Sequence, residues 1–277
     1  MKKKSILILI AIYLFNSSLK AQNNNSIQNK EVFPFGVIEK INSKELSEER
    51  VLNIYLPQGY NADSLATYPT IYVLDGSAHE DFPHIAGLVQ FMNMYNLMPK
   101  SIVVGIANID RYRDFTYPST DPRDKKDLPT GGGSEKFIKF IENELQPYIQ
   151  KNYKTTARKT IIGQSMGGLL ATEILTTKAH LFTDYIIVSP SLWWDHQKLV
   201  NKAHLFFNKH KDLNKKVFIS LGKEHPVMHQ VADKLVQAIK EANNRKITLF
   251  YEPILDEDHA TILHKAVYNA FKALNKN

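Results

Sequence analysis

The sequence predicts a single α/β domain, built on a mostly parallel sheet of eight strands that helices flank on both faces. Two β-rich runs come first and have the pattern of antiparallel strands. From residue 70 onward, near-continuously apolar runs alternate with helical patterns, as is typical of strands covered on both faces. The chain shows no internal repeat and no second pattern of this kind, so we expect residues 31–277 to form one domain.

Eight short runs are the predicted strands, and each is rich in β-branched and aromatic residues. In chain order they are residues 35–41, 50–56, 70–74, 101–107, 160–163, 185–189, 216–221 and 247–251. Helices are predicted over residues 134–150, 226–243 and 260–274, where apolar side chains recur at helical spacing. Pro147 is expected to kink the last turn of the first helix, and Pro226 to begin the second.

Residues 1–21 have the three parts of a signal peptide. Three lysines follow the first methionine, residues 6–15 are all apolar, and Ala21 ends the segment on a small residue. The apolar run is too short to span a bilayer, which needs about 20 residues. We therefore expect cleavage after Ala21 and a periplasmic or secreted protein without a membrane span; an uncleaved anchor is the alternative. Residues 22–30, rich in Asn and Gln, are expected to be a flexible lead-in.

Charge and composition argue against nucleic acid as a partner and against disulfides as a source of stability. Removing residues 1–21 takes away four lysines and no carboxylate, which lowers the formal charge from +7 to +3. No basic stripe with interleaved aromatic residues appears, so nucleic acid is not an expected partner. The chain has no cysteine, and its stability must come from its core and not from disulfides. We expect no metal and no cofactor.

Residues 160–168 predict a serine nucleophile. They read as a buried strand that delivers Ser165 into a Gly-x-Ser-x-Gly turn, and a helix starts directly after it. Gly163 and Gly167 are expected because a Cβ would clash in so sharp a turn. The N–H of Met166 would point to the place where an oxyanion forms. Because the motif is short, a structural turn serine is the alternative.

The segment Asp110–Gly133 breaks the alternation of strands and helices. It carries three arginines, three prolines and three consecutive glycines, with little apolar periodicity. We predict a long loop that follows the fourth strand and emerges at the carboxyl edge of the sheet, where open α/β sheets bind ligands. A surface insertion without a role in binding is the alternative.

A serine hydroxyl is a weak nucleophile until a base takes its proton, and His259 is the predicted base. In this architecture the histidine follows the last strand. Only His259 and His264 follow residues 247–251. His259 lies in a polar loop, whereas His264 lies inside the last helix and is more typical of a packed or surface residue.

The acid that orients the imidazole should follow the seventh strand, where Glu224 is the available carboxylate. Asp256, Glu257 and Asp258 are rivals, although they are so close in sequence to His259 that reaching its ring is harder. Two alternatives stay open: Glu224 could only complement a helix dipole, and the enzyme could work with a serine–histidine dyad.

A second oxyanion donor is expected in the loop after the third strand. That strand ends in Asp75-Gly76-Ser77, and the N–H of Ser77 is well placed for the role. Gly76 would let the backbone approach a ligand; an ordinary turn glycine is the alternative.

Five motifs carry a family resemblance. They are Leu74-Asp75-Gly76, Val103-Val104-Gly105-Ile106, the Gly163–Gly168 elbow, Ser189-Pro190-Ser191-Leu192-Trp193-Trp194 and Asp258-His259. Together they resemble the putative-esterase branch of the α/β hydrolases, from roughly Val32 to the C-terminus. That branch includes siderophore esterases, esterase D and feruloyl esterases, with mycolyltransferases as relatives, and the resemblance implies an α/β-hydrolase domain.

The resemblance implies the same chemistry at matching positions. It makes Ser165 the nucleophile, His259 the base, and Met166 and Ser77 the oxyanion donors. Some siderophore esterases lack a triad acid, whereas Glu224 resembles the glutamate that other branches retain.

The resemblance also implies residues that contact the substrate. Arg113, in Arg-Asp-Phe-Thr-Tyr-Pro, resembles the arginine that meets the acidic ligand in siderophore esterases, and Tyr112 is its neighbour. Trp193 and Trp194 follow the sixth strand. Adjacent tryptophans cannot both point inward, so one could offer a flat face to a ring of the substrate; packing of both in the core is the alternative.

These residues predict an exported serine esterase that hydrolyses carboxylic esters or lactones through a Ser165–His259–Glu224 triad and an acyl-enzyme. Siderophore trilactones and other macrolactones are the first substrate class, and feruloyl or acetyl esters of polysaccharides the second. Acyl transfer to an acceptor other than water is a third hypothesis. A scaffold that binds a ligand without catalysis is an alternative from a different class. The expected partner is a small-molecule ester or lactone, and the oligomeric state stays open.

Overall fold

All eight predicted strands are present in the computed structural model of the chain, which describes residues 31–276. The predicted signal peptide, its cleavage site and the lead-in over residues 22–30 lie outside the described residues. The strands are β1 Val37–Ser43, β2 Glu48–Tyr55, β3 Tyr68–Val73, β4 Ile102–Ile106, β5 Thr155–Gln164, β6 Asp184–Val188, β7 Lys215–Ser220 and β8 Ile247–Tyr251.

The strands form one sheet in the order β1-β2-β4-β3-β5-β6-β7-β8. β2 runs antiparallel to both β1 and β4, and every other neighbouring pair is parallel. The predicted class, a single α/β domain with a mostly parallel sheet, is therefore confirmed. Because β3 to β8 all point the same way, the loops that follow them meet at one edge of the sheet, which we call the catalytic edge.

Helices cover both faces of this sheet. They are α1 Asp81–Met94, α2 Arg111–Phe115, α3 Pro122–Asp127, α4 Ser134–Phe140, α5 Gln146–Asn152, α6 Met166–Thr177, α7 Trp194–Lys209, α8 Pro226–Glu241 and α9 Ile262–Leu274. The helices predicted at the elbow, at Pro226 and at the C-terminus correspond to α6, α8 and α9. Residues 31–276 contain no helix that is both long enough and apolar enough to cross a bilayer.

The structure changes the sequence prediction for residues 134–150. α4 and α5 form one continuous helical path, joined by a π-helical segment over Ile141–Leu145. The irregularity therefore lies directly before Pro147 and not in the last turn. A proline ring clashes with the carbonyl four residues earlier, and that residue, Asn143, lies within the widened turn.

The segment Asp110–Gly133 is not the structureless loop that its composition predicted, because it contains α2 and α3. Buried ion pairs tie its first part to β2. Arg50 Nη1 lies 2.7 Å from Asp114 Oδ2, and both side chains are fully buried. Arg113 bonds Glu48 at 2.7 Å and Asp114 at 2.7 Å. Burial alone would raise the pKa of Glu48, but hydrogen bonds from Arg113 and Arg50 outweigh it and lower that pKa.

Asp114→Ala tests whether this buried cluster holds the segment. The substitution leaves the buried Arg50 with Glu48 as its remaining carboxylate, and we expect the free energy of unfolding to fall by about 3 kcal/mol. A urea titration measures the loss. Arg123→Ala is the control, because Arg123 pairs with Asp121 at the surface, and it should leave the unfolding midpoint almost unchanged. Equal midpoints for the two variants would contradict the structural role of Asp114.

Candidate active site

Ser165 lies in the turn between β5 and α6 with φ 58° and ψ −118°. A side-chain-bearing residue rarely adopts a positive φ, and such strain persists only where the surroundings hold it. Three hydrogen bonds hold the turn. The Ser165 N–H donates to the Val188 carbonyl at 3.0 Å, and the Ser165 carbonyl accepts from the N–H groups of Leu169 and Ser191, both at 3.0 Å. The serine thus stands at the catalytic edge in the predicted strand–turn–helix.

Two glycines make the turn sterically possible, and one of them, Gly163, is among the two that the motif indicated. A Cβ on Gly163 would lie 2.3 Å from the Gly167 carbonyl oxygen, and a Cβ on Gly168 would lie 2.9 Å from the Cα of Pro190. A Cβ on Gly167 would meet nothing closer than 3.4 Å, which is an ordinary contact. Gly163 and Gly168 are therefore the positions where close backbone approach requires glycine.

Glu224 and His259 are hydrogen-bonded to each other. His259 Nδ1 lies 2.9 Å from Glu224 Oε2. Glu224 follows β7 and its side chain is only 3 % exposed, whereas the His259 side chain is 46 % exposed. Since the bond to Glu224 engages Nδ1, the imidazole is oriented with Nε2 available to another group.

The Glu224 carboxylate has two further partners. Its Oε1 accepts hydrogen bonds from the Ser189 hydroxyl and, at 3.1 Å, from the Gly222 N–H. Burial would raise the pKa of Glu224, but the hydrogen bonds from His259, Ser189 and Gly222 outweigh it and lower that pKa. The carboxylate is therefore charged at neutral pH and suited to stabilise an imidazolium.

The rival carboxylates are engaged elsewhere. Asp256 pairs with Lys265, and Asp258 Oδ1 accepts from the N–H groups of Ala260 and Thr261 at 2.9 and 3.1 Å. The Glu257 carboxylate lies 3.8 Å from His264. Of the four carboxylates considered from the sequence, Glu224 is the one with a hydrogen bond to His259.

Ser165 and His259 are linked less directly. The hydrogen bonds described for residues 31–276 include none between their side chains. Instead, Gln164 Nε2 donates to the His259 carbonyl, which joins the His259 loop to the residue before Ser165. Serine–histidine bonds are often loose until a substrate binds, so the separation is compatible with a working pair.

The motif Ser189-Pro190-Ser191 contributes two positioning residues that the sequence reasoning missed. Ser189 has φ 44° and bonds Glu224, and the Ser191 hydroxyl lies 3.3 Å from the Ser165 hydroxyl. Pro190 packs where a side chain on Gly168 would lie. The tripeptide after β6 thus contacts both Glu224 and Ser165. The sequence analysis uses this tripeptide only as part of the family resemblance, because its residue types do not predict which carboxylate or which serine it contacts.

The two predicted oxyanion donors differ in their surroundings. Met166 is the first residue of α6, where backbone N–H groups have no acceptor within the helix. The Ser77 N–H donates to Glu80 Oε2 at 3.3 Å. A Cβ on Gly76 would lie 2.4 Å from backbone atoms of Gly105 and Ile106. Contact with β4 therefore requires glycine at this position.

The arginine beside the elbow is Arg111. Its Nε lies 2.6 Å from Asp75 Oδ1, and its Nη2 lies 3.0 Å from Asp75 Oδ2 and 3.3 Å from the Gln164 carbonyl. Arg111 thus joins the loop after β3 to the Ser165 turn. Arg113, the predicted substrate contact, directs its guanidinium to Glu48 and Asp114. No local sequence signal indicates that Asp75, two residues after β3, pairs with Arg111 and not with Arg113, because the pairing depends on segments that are distant in sequence.

The two tryptophans divide between core and surface. Trp194 is buried, and its Nε1 donates to the Tyr117 carbonyl at 2.8 Å. Trp193 is half-buried, and its ring meets that of Trp194 edge-on with 6.3 Å between centroids. Tyr112 is exposed. Trp193 and Tyr112 are therefore the aromatic residues of the predicted set that keep surface open to a ligand.

The chain matches the sequence model of the family Esterase, described as "Putative esterase", over residues 43–264. It is 27 % identical over 274 residues to the ferri-bacillibactin esterase BesA of Bacillus subtilis, an alignment that covers 91 % of this chain and 93 % of BesA.

Two solved structures resemble the chain at a level of sequence identity similar to that of BesA. An IroE-like serine hydrolase from Shewanella oneidensis has a TM-score of 0.75 and 28 % identity, covering 86 % of this chain and 79 % of its own. The BES protein from Bacillus cereus has a TM-score of 0.79 and 26 % identity, covering 92 % of this chain and 100 % of its own.

Glu224→Gln tests the acid. The amide keeps the shape of the side chain but cannot stabilise an imidazolium, so we expect kcat to fall by about 10²–10⁴-fold. Asp256→Asn is the matched control and should retain most of the activity, because Asp256 pairs with Lys265. Steady-state hydrolysis of a p-nitrophenyl ester measures both. A mild effect of Glu224→Gln together with a severe effect of Asp258→Asn would transfer the acid to the histidine loop.

Proposed function

Because the chain belongs to the esterase family, we propose that it hydrolyses carboxylic esters or lactones with Ser165 as nucleophile, His259 as base and Glu224 as the acid that orients the base. One observation carries the proposal. The strained Ser165 turn and the 2.9 Å Glu224–His259 pair lie at the same edge of the sheet, in loops that follow three different parallel strands. Buried, charge-assisted pairs beside a strained serine are typical of catalytic sites.

In the proposed mechanism, the Ser165 oxygen attacks the ester carbonyl while His259 Nε2 accepts the hydroxyl proton. The carbonyl oxygen becomes an oxyanion that receives hydrogen bonds from the Met166 and Ser77 N–H groups, and Ser77 exchanges its bond to Glu80 for this one. The intermediate collapses, the ester C–O bond breaks, and His259 returns the proton to the departing alcohol. Water, deprotonated by His259, then attacks the acyl carbon; the bond to the Ser165 oxygen breaks, the acid leaves, and His259 returns the proton to Ser165.

The proposed substrate class is the cyclic or aromatic ester, with siderophore trilactones first. The name of the relative BesA, a ferri-bacillibactin esterase, supports this class, as does the half-buried ring of Trp193, which follows Ser191 by two residues. A hydrolysis screen with a trilactone siderophore, a macrolide lactone, a ferulate ester and p-nitrophenyl esters tests it. The highest kcat/KM should be on the trilactone; a preference for the ferulate ester would contradict the proposed class.

We also propose that the protein is exported to the periplasm or beyond. The proposal rests on the sequence of residues 1–21 alone. Mass spectrometry of the protein from its native cells should find Ala21 absent and Gln22 at the N-terminus.

Ser165→Ala should lower kcat by about 10⁴-fold or more, because the nucleophile and its base act as a unit. His259→Ala should lose activity to the same extent for the same reason. His264→Ala is the control, since His264 packs edge-on against His84 and is not hydrogen-bonded to Glu224, and it should be close to neutral. Retention of more than a few per cent of activity by Ser165→Ala would refute the mechanism.

Arg113 remains a proposed contact for an acidic substrate, reached when its guanidinium leaves Glu48. An ion pair with the ligand is present equally in ground and transition states, so Arg113→Ala should raise KM for acidic substrates and leave kcat nearly unchanged. Neutral p-nitrophenyl esters serve as the internal control. An equal change in KM for acidic and neutral esters would contradict a role in substrate binding.

A further inference from the structure

Charge is divided between the two edges of the sheet. Basic residues concentrate where the parallel strands begin, and we call this set the basic edge: Lys154, Arg158, Lys159, Lys215, Lys216 and Lys246. At the catalytic edge, at the other end of the same strands, Asp75 pairs with Arg111 and Glu224 with His259. An excess of basic groups at the opposite edge gives the molecule an oriented field at its surface.

Within residues 31–276, no carboxylate forms an ion pair with the ammonium groups of the basic edge. Lys159 Nζ donates to Gln146 Oε1 at 2.6 Å, Lys215 Nζ to the Phe182 carbonyl at 2.6 Å, and Lys216 Nζ to the Leu274 carbonyl at 2.8 Å. Burial lowers the pKa of Lys215. Asp184 raises this pKa and the nearby Lys159 lowers it, but burial has the largest effect. The ion pair of this set is Arg158 with Asp184, at 2.7 Å. Positive charge therefore remains in excess.

A cavity of about 430 Å³ opens on the basic edge. Its cationic lining residues are Arg158, Lys216 and Lys276, and none of the described residues that line it carries a carboxylate. The remaining lining includes Leu97 and Met98 from the turn that leads into β4. The cavity thus combines guanidinium and ammonium groups with an apolar wall, which suits an anionic head group attached to an apolar body.

Apolar side chains project beside this cavity. Met94 and Tyr95 are 64 % and 59 % exposed, and Phe91 and Leu97 are also exposed. We call these four residues the apolar corner. Phe91 and Tyr95 contact each other with 5.0 Å between ring centroids, so the corner is a cluster and not scattered residues. Basic residues next to exposed aromatic and aliphatic side chains are the pattern of proteins that lie on membrane surfaces.

We propose that the basic edge and the apolar corner dock on the surface of an anionic lipid bilayer. The lysines would attract anionic head groups, and the apolar corner would enter the boundary between head groups and acyl chains. Lysine, as a compact charge without a fixed binding geometry, suits a diffuse layer of phosphates. A soluble polyanion would need the charges and leave the apolar corner unused, and for this reason the structure favours a bilayer.

Docking in this orientation leaves the catalytic edge free. β5 contains ten residues from Thr155, beside the basic edge, to Gln164, beside the nucleophile. At about 3.3 Å per residue, Ser165 would stand on the order of 30 Å from the lipid surface. A protein held this way would present its site to dissolved substrates near the membrane.

Vesicle sedimentation of the full chain tests the proposal. The probes are phosphatidylcholine vesicles with and without about 30 % phosphatidylglycerol, at about 0.1 M and about 0.5 M salt. The double variant Lys154→Glu/Lys246→Glu is compared with Lys136→Glu/Lys202→Glu, which makes the same change in net charge on α4 and α7. All the proteins carry the same N-terminal residues, so any contribution from those residues is equal.

We expect binding to the anionic vesicles only, weaker at high salt. Each basic residue near such a surface strengthens binding about fivefold, so Lys154→Glu/Lys246→Glu should bind at least about 25-fold more weakly, with the control within about threefold of the parent. Met94→Gln/Tyr95→Ser should also weaken binding, whereas Leu205→Gln, at an equally exposed position on α7, should not. Equal losses in test and control variants, no binding to anionic vesicles, or binding to heparin alone would overturn the proposal.

The result is independent of the proposed function. Lys154 and Lys246 lie at the amino ends of β5 and β8, away from Ser165, so their double variant should hydrolyse a soluble ester as the parent does. Loss of vesicle binding with full hydrolysis supports docking as a separate property. Full vesicle binding by Ser165→Ala would show that docking does not depend on hydrolysis.

Discussion

The left-handed turn at Ser165 is the constraint on which the rest of the site depends. A residue with φ 58° between a buried strand and a helix costs on the order of 1–3 kcal/mol, and the surrounding structure must hold it there. Gly163 and Gly168 allow the close contacts that the turn requires, and Val188 and Ser191 bond its backbone. The geometry of Ser165 is therefore a property of β5, β6 and α6 together.

The order of strands explains why the remaining groups arrive at the same place. β6 and β7 follow β5 across the sheet, so the loops after them lie next to the serine. The loop after β6 supplies Ser189 and Ser191, and the loop after β7 supplies Glu224. His259 comes from the loop between β8 and α9 and is held on one side by Glu224 and on the other by Gln164. Hydrophobic burial builds the sheet, and the sheet then brings these polar groups together.

The sequence was sufficient for the fold class because strand and helix periods alternate plainly from residue 70 onward, and all eight strands were predicted. It was insufficient for Asp110–Gly133, whose order depends on buried pairs between Asp114 and Arg50, residues 64 positions apart. Helix α7 was not predicted. Near its start, three consecutive residues, Asp195 to Gln197, have left-handed backbone conformations, which their residue types do not predict.

The same limit applies within the site. Motif order was sufficient to pair His259 with Glu224, because both follow known strands of this architecture. Local sequence could not distinguish Arg111 from Arg113, since the choice depends on Asp75 and Glu48, which lie on other elements. Contacts between distant segments were thus the part that a single sequence could not supply.

The most direct test of the central claim is the identity of the covalent intermediate. The protein would be mixed with a p-nitrophenyl ester, quenched in acid within one turnover, digested and analysed by mass spectrometry. Our account predicts that the acyl group is found on Ser165, and that Glu224→Gln slows its appearance without changing its position. Acylation of Ser191 in place of Ser165, or turnover with no covalent intermediate on any residue, would contradict the account.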